Sequence, residues 1–141
     1  MEIFIFRVND IIDLPIIDRA SGQRICTVKD VIIDARENKV YALVCKEHLI
    51  RRVTEIIPYD YVIAVTQNFI MITKKCNIIK HREIPSMNRR FFSIDNIIGK
   101  LILNAKGEII GIIRDIMLNT SNGSINAYEI SEGYFDDLVT G

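Results

Sequence analysis

Two pairs of oxygen-bearing side chains recur in this sequence at the same spacing. Asp30 and Asp34 lie four residues apart, and so do Asp115 and Asn119. On a β-strand this spacing places both side chains on one face, where their oxygens could bind a hard cation together. Calcium takes about six to eight oxygen ligands, whereas each pair supplies only two side chains. The spacing therefore favours a structural role, in which these residues cap the adjacent turns.

The sequence contains few residues that could act together as nucleophiles or metal ligands. Cys26, Cys45 and Cys76 form no C-x-x-C pair, and the two histidines lie far apart along the chain. Neither His48 nor His81 belongs to a recognisable motif of nucleophile and base. We therefore expect no enzymatic activity, no metal and no cofactor. The three cysteines are expected to be reduced, buried and inert thiols.

The basic residues are concentrated in one segment, although the whole chain has no net charge. Residues 74–94 contain a single acidic residue and six basic ones, which are Lys74, Lys75, Lys80, Arg82, Arg89 and Arg90. Because Phe91 and Phe92 follow, this basic connector could bind RNA through phosphate contacts and base stacking. The other interpretation is a linker whose phenylalanines anchor it on the second half of the chain. It would then face the acidic residues Glu129, Glu132, Asp136 and Asp137. The absence of a net basic charge favours the linker.

Hydropathy argues against membrane insertion and export. No apolar run approaches the roughly 20 residues of a membrane-spanning helix, because charged or amide residues interrupt the apolar stretches. Residues 1–6 carry Glu2 where a signal peptide would have basic residues, and no small-residue cleavage site follows. We therefore expect no membrane span and a cytoplasmic location.

A segment of the first half of the chain recurs in the second half. Residues 21–34 align without gaps on residues 106–119, so that Gly22 falls on Gly107 and each copy contains a basic residue followed by aspartate. Further matches are residues 16–17 over 101–102, residues 36–39 over 121–124, Leu14 over Gly99 and Cys26 over Gly111. Glycine-centred polar turns separate runs rich in Ile and Val, as in consecutive β-strands. The sequence therefore predicts an all-β chain of two related repeats, with the basic-Asp pairs at the rim.

The first copy continues further than the second. Residues 52–57 read as a strand that Pro58 ends, and a turn and a closing hairpin follow up to residue 72. A small closed or nearly closed barrel would remove the exposed strand edges of such a repeat. The second copy has no counterpart of these strands, so we expect its barrel to be incomplete. We expect the missing strands to come from residues 3–8, from the first barrel or from a second molecule, and the last source predicts a homodimer through the open edge.

These patterns resemble the PRC-barrel family, which is named for the photosynthetic reaction centre H subunit and shared with the C-terminal domain of a ribosome-maturation factor. The resemblance rests on an apolar strand, a turn glycine, an apolar strand with a basic-Asp pair and a polar turn. These features occur in residues 15–34 and again in residues 99–116, and residues 56–65 resemble the family's strand, proline and closing hairpin. The resemblance implies small β-barrels that dock on other macromolecules without catalysis. Tandem arrangements of this kind resemble proteins of low-GC Gram-positive bacteria, some of them linked to sporulation.

The chain is therefore interpreted as two PRC-type repeats, residues 1–73 and the shorter residues 95–141, joined by the basic connector at residues 74–94. We expect an adaptor that binds a protein partner through a strand edge or the barrel rim. The residues expected to shape the turns and the rim are Gly22, Asp30, Gly107, Gly111 and Asp115. The alternative is an RNA- or ribosome-associated assembly factor. Its contact residues would be Arg51, Arg52, Lys74, Lys75, Arg89 and Arg90.

Overall fold

The computed structural model describes residues 5–48, 53–73, 79–81 and 90–131. The strands before residue 82 are β1 (Ile5–Arg7), β2 (Pro15–Asp18), β3 (Arg24–Thr27), β4 (Asp30–Asp34), β5 (Lys39–His48), β6 (Val53–Pro58), β7 (Val62–Val65), β8 (Ile70–Ile72) and β9 (Ile79–His81). The later strands are β10 (Phe91–Ser93), β11 (Leu101–Leu103), β12 (Ile109–Asn119) and β13 (Ser124–Ser131). Two short helices, α1 (Val8–Ile11) and α2 (Ile94–Ile97), and a 3-10 turn at Tyr59–Tyr61 complete the described elements. The predicted β-rich fold is confirmed.

The first repeat is built from two sheets that enclose an apolar core. β4, β5 and β6 are consecutive antiparallel neighbours in the larger sheet, and the smaller sheet has the order β3-β2-β8-β7. Pro58 is the last residue of β6, as expected for a residue that cannot donate a ladder hydrogen bond. The chain then makes the 3-10 turn and returns as the β7–β8 hairpin. The predicted order of strand, proline, turn and hairpin is confirmed.

The second repeat contains β11, β12 and β13. β11 corresponds to β2, β12 corresponds to β3 and β4 together, and β13 corresponds to β5. β12 pairs with β11 near its start and with β13 over most of its length. Within the described ranges, no strand pairs with the outer edge of β11, and the outer edge of β13 is paired only at Ser124. The sheets do not close into a full barrel. The expectation of a closed or nearly closed barrel is therefore corrected to an open arrangement.

The two repeats exchange their first strands. β1 pairs antiparallel with β12 of the second repeat, and β10 pairs antiparallel with β4 of the first. The registers are equivalent, because Phe6 lies opposite Leu118 and Phe92 lies opposite Ile33. α1 and α2 follow these strands directly and pack on β12 and β4. Four-residue helices are too short to be stable alone, so each one depends on the repeat that receives it.

The exchange corrects the expectation that both connector phenylalanines anchor on the second repeat, because Phe91 packs on the first. Phe91 lies opposite Asp34 in β4, and the centre of its ring is 4.6 Å from that of Tyr41. The β4–β5 face offers Phe91 an apolar surface, on which its ring is buried. Residues 79–81 add β9 to the edge of β6. By contrast, residues 5–7, one of the three expected sources of strands, do join the second repeat.

A pseudo-two-fold axis relates the repeats where β5 meets β13. The backbone N–H of Val40 donates to the carbonyl oxygen of Gly123 at 2.8 Å, and that of Ile125 donates to the carbonyl oxygen of Asn38 at 2.9 Å. Asn38 and Gly123 have φ values of 54° and 79°, in the left-handed region that glycine and asparagine tolerate best. The sheet of the first repeat therefore continues into the second through two equivalent hydrogen bonds.

The first repeat has one residue more in its β2–β3 turn than the sequence alignment assumed. Ile16 pairs with Cys26 in the first repeat, and Ile102 pairs with Gly111 in the second. Ile102 is therefore the counterpart of Ile16, and the counterpart of Gly99 is Asp13 instead of Leu14. Asp13 and Gly99 both have positive φ, at 73° and 89°. A gap-free alignment could not detect this difference, because the extra residue lies in the turn.

Cys26 of β3 and Cys45 of β5 form a disulfide bond. This finding corrects the prediction that the cysteines are free thiols. Their Cα atoms lie 5.8 Å apart, a usual separation for a disulfide. The two cysteines are separated by 19 residues along the chain and become neighbours only because β3 folds over β5. The bond joins the smaller sheet to the larger one, and Cys76 lies outside the described residues.

One apolar core extends through both repeats. It contains buried residues of α1, α2, β4, β5 and β12, together with the β6–β8 segment. The side chains contributed by the second half are Ile94, Ile116 and Leu118. A smaller cluster on the other face of β4 and β5 holds Phe91 of β10. The second half of the chain therefore supplies part of the core of the first repeat.

Candidate binding groove of the second repeat

The recurring aspartates Asp30 and Asp115 hold the exchanged helices. Asp115 Oδ1 accepts a hydrogen bond of 3.3 Å from the backbone N–H of Asn9 in α1. The Asp30 carboxylate accepts one from the hydroxyl of Ser93, which precedes α2. Both aspartates are buried; burial raises the pKa of Asp30, and the hydrogen bond from Ser93 opposes this shift. Both aspartates therefore lie at the start of an exchanged helix, a favourable place for a carboxylate, instead of capping the adjacent turns as expected.

Asp34 and Asn119 cap the turns that follow β4 and β12, as their spacing predicted. Asp34 Oδ1 accepts from the N–H of Arg36 at 3.0 Å, and Asn119 Oδ1 accepts from the N–H of Ser121 at 3.1 Å. Among the residues that the structure describes, no group of three or more His, Cys, Asp or Glu side chains is arranged to hold a metal ion. The carboxylates of the repeat thus have identified structural partners.

The three glycines expected at turns or the rim have two different roles. Gly22 and Gly107 have φ values of 70° and 83°, in the left-handed region that tight turns often require. Gly111 lies inside β12, where a Cβ atom would overlap the Ile130 side chain and lie 2.7 Å from the carbonyl oxygen of Ser131. Gly111 is therefore required by the close packing of β12 against β13.

Arg90, expected to contact a partner or RNA, is bound within the protein. Its Nε and Nη2 atoms donate to the two Asp34 oxygens at 3.1 and 3.0 Å, and its guanidinium carbon lies 5.0 Å from the centre of the Phe91 ring. The hydrogen bonds from Arg90 lower the pKa of Asp34. The other basic candidates lie outside the described residues; they are Arg51, Arg52, Lys74, Lys75 and Arg89.

Replacing Asp34 by Asn should lower the free energy of unfolding at pH 7 by about 1–2 kcal/mol, because the charge-assisted bonds to Arg90 are lost. The lowered pKa of Asp34 means that this stabilisation is complete above its ordinary pKa of about 4 and disappears as the pH falls through the lowered value. The difference between wild type and variant should therefore shrink below about pH 4. Urea unfolding across this pH range measures it.

The exposed Asp60 provides the control for this experiment. Asp60→Asn should leave both the stability at neutral pH and its decline in acid close to those of the wild type. A difference between wild type and Asp34→Asn that stays constant with pH would contradict the assigned ion pair.

An apolar groove opens on the second repeat, beside the strands that lack a covering neighbour. It has a volume of about 510 Å³ and is lined by side chains of both halves of the chain. Among its lining residues are Ile33, Ala35, Asn38, Ile102, Ile113 and Tyr128. The volume lies within the range of sites that bind peptides or small molecules.

In the first repeat, the positions equivalent to the groove lining belong to a filled apolar core. Leu43, the counterpart of Tyr128, is 1 % exposed, whereas Tyr128 is 42 % exposed. Ile16 and Ile102 are likewise equivalent, and Ile16 is fully buried while Ile102 is only partly so. The residues that complete the first core come from β6, the 3-10 turn and β8, and they include Ile57, Tyr59, Ile70 and Ile72. The groove is the unfilled counterpart of this core.

Several large apolar side chains of the second repeat are exposed outside the groove lining. They are Leu101, Leu103, Ile110 and Ile130. Exposed apolar surface often marks a binding site when it is extensive. Sequence reasoning predicted the open edge but missed these residues. The signal was the occurrence of apolar residues at successive positions of short strands, where a strand with one face in solvent would alternate with polar residues.

The comparisons with known proteins agree with this architecture. A family model described as the PRC-barrel domain matches residues 5–75 and again residues 89–140. The Uncharacterized protein YrrD of Bacillus subtilis (strain 168) is 28 % identical over 61 residues, which are 43 % of this chain and 35 % of YrrD. This chain thus aligns with about a third of that relative. In the described part of the chain, no helix has the length and hydropathy to cross a membrane. Since the family model covers both repeats, the chain belongs to the PRC-barrel domain family.

Proposed function

We propose that this protein is a non-catalytic adaptor that binds another protein through the open side of its second repeat. The observation that carries the proposal is the apolar groove of about 510 Å³ beside the outer edge of β13. A strand edge presents backbone N–H and C=O groups that a second chain can pair with. Addition of a strand to such an edge, with side chains entering adjacent pockets, is a recurring mode of peptide recognition.

The composition of the groove supports binding over catalysis. Its lining is largely aliphatic and aromatic, and its polar members are Asn38, Asn96 and Lys100. These three side chains include no pair of nucleophile and general base. An apolar lining with a few polar groups is typical of sites that fix the orientation of a ligand.

RNA or ribosome association is the second candidate, and it depends on the basic connector. Its expected contacts Arg51, Arg52, Lys74, Lys75 and Arg89 lie outside the described residues. The sixth, Arg90, is held by Asp34, which supports the protein partner over the nucleic acid. A cytoplasmic location, a homodimer and a link to sporulation remain predictions.

Affinity capture from a lysate of the source organism, with and without nuclease, separates the two candidates. The comparison uses wild type, Tyr128→Lys in the groove, and a triple variant in which Lys74, Lys75 and Arg89 are replaced by Glu. Arg90 stays unchanged, because its loss would disrupt the Asp34 ion pair. We expect a partner protein that resists nuclease and raised salt, is retained by the triple variant and is lost with Tyr128→Lys. Loss on nuclease treatment or with the triple variant would instead indicate RNA binding.

A further inference from the structure

The first repeat shows how a groove of this kind is filled. β6 pairs antiparallel with the outer edge of β5, with Ile57 opposite Leu43. Ile57 and Tyr59 are buried, and the Tyr59 hydroxyl donates to the carbonyl oxygen of Thr120 at 2.6 Å. The filling segment is therefore an apolar strand that ends in proline and is followed by tyrosine.

The second repeat presents the equivalent surface without this segment. The pairing of β12 with β13 reproduces that of β4 with β5, so that Tyr128 corresponds to Leu43. The outer edge of β13 then corresponds to the edge on which β6 lies. Ala35 likewise corresponds to Thr120, the residue whose carbonyl binds Tyr59. Both Ala35 and Tyr128 line the groove.

The two surfaces differ at one wall. In the first repeat, a Cβ atom at Gly123 would lie 2.9 Å from Cδ2 of Tyr59, so the ring packs directly on the glycine. At the groove, the corresponding position is Asn38 of the first repeat, whose side chain occupies this wall. An aromatic ring in the groove must therefore lie further from Asn38 and closer to Ala35, which is smaller than its counterpart Thr120.

Within the described residues, a second copy of the chain offers no free segment that matches. Its own residues of this kind belong to β6, the 3-10 turn and β8, where Ile56, Ile57, Ile70 and Ile72 are at most 1 % exposed. Releasing them would open the core of the first repeat at the cost of several buried side chains. A different protein with a free segment meets no such cost.

We infer that the groove binds an extended segment of a partner protein in which an apolar strand is followed by proline and an aromatic residue. The strand pairs antiparallel with the outer edge of β13 around Tyr128, and the aromatic ring enters the groove beside Ala35. This inference rests on the proposed adaptor function and specifies the chemistry of the partner. The backbone pairing supplies affinity, and the apolar side chains supply specificity.

A capped synthetic peptide that copies residues 55–62 of this chain is the direct probe, because it carries the Ile-Ile-Pro-Tyr sequence of β6 and the turn. Isothermal titration calorimetry with the full chain should show one binding site. Replacing the peptide tyrosine that copies Tyr59 by Ala should weaken binding at least about tenfold, in line with the loss of a buried aromatic ring. Tyr128→Lys in the protein should weaken binding by a similar factor.

Tyr61→Lys is the matched control variant, since Tyr61 is a similarly exposed tyrosine outside the groove, at 36 % against 42 %. It should leave peptide binding unchanged, and circular dichroism should show that both variants keep the wild-type fold. Absence of peptide binding, or binding that Tyr128→Lys does not weaken, would overturn the inference. Dimers that appear in light scattering and dissociate with Tyr128→Lys would also overturn it, by assigning the groove to a second copy.

Different experimental results would contradict the adaptor function and the inference about the partner's strand. If the captured partner binds wild type and Tyr128→Lys equally, the protein is an adaptor that binds its partner elsewhere, and both the proposed binding site and the strand inference are wrong. If no nuclease-resistant partner is captured while the peptide still binds at the groove, the site is real but the proposed function loses its support.

Discussion

Tyr59→Ala should lower the free energy of unfolding by about 3–5 kcal/mol, the usual loss for removal of a buried aromatic side chain. The Tyr59 ring fills the first repeat where the second repeat is open, and it packs on Gly123. Tyr59→Phe keeps the ring and loses the hydrogen bond to Thr120, so we expect a loss of about 1–2 kcal/mol. Denaturant titration of both variants measures these values.

The buried hydroxyl of Tyr59 should also make the free energy of unfolding depend on pH in the alkaline range. Burial raises the pKa of Tyr59 to about 12, above the ordinary value of about 10 in the unfolded chain. Because the unfolded state releases this proton first, stability should fall as the pH rises from about 10 towards 12. Tyr59→Phe should lack this part of the decline. Equal alkaline declines, or a loss with Tyr59→Ala no larger than with the exposed Tyr61→Ala, would contradict the buried position.

Separating the chain into residues 1–89 and 90–141 should abolish cooperative unfolding in each fragment. The first fragment loses β10 from the edge of β4, and the second loses β1 from the edge of β12. Each fragment also loses the partner of a buried aspartate, Ser93 for Asp30 and Asn9 for Asp115. Burial of a carboxylate that has lost one of its hydrogen bonds adds to the cost of the open edges. Thermal unfolding of the separate fragments tests this expectation.

Mixing the two fragments should give a one-to-one complex that unfolds in the same transition as a chain cleaved after folding. The control is the intact chain cut at a protease site introduced near residue 85, which should stay associated. If residues 1–89 alone unfolded with the midpoint of the intact protein, the exchanged strands would contribute little to the first repeat, and the assignment of a shared core would be wrong.

Much of the local structure follows from the sequence because it depends on neighbouring residues. Gly22 and Gly107 mark turns through their positive φ, and Pro58 ends a strand because it lacks an N–H. Runs of Ile and Val predict strands without stating which edges pair. The spacing of Asp34 and Asn119 predicts turn caps, which form within three residues along the chain.

The groove and the exchange depend on contacts between distant residues, and no local pattern encodes them. Asp115 meets Asn9 across 106 positions, and Arg90 meets Asp34 across 56 positions. The two adjacent phenylalanines Phe91 and Phe92 are equally compatible with packing on either repeat. The disulfide was missed for the same reason, because Cys26 and Cys45 become neighbours only when two sheets fold onto each other.

The reciprocal exchange of first strands sets the order in which this chain can fold during synthesis. The edge of β4 stays unpaired until residues 91–93 have emerged, and β1 has no partner until residues 117–119 follow. Contacts of such long sequence separation slow folding, and unpaired strand edges invite association with other chains. The ribosome therefore extends the chain past residue 119 before Ile5–Arg7 can pair with β12.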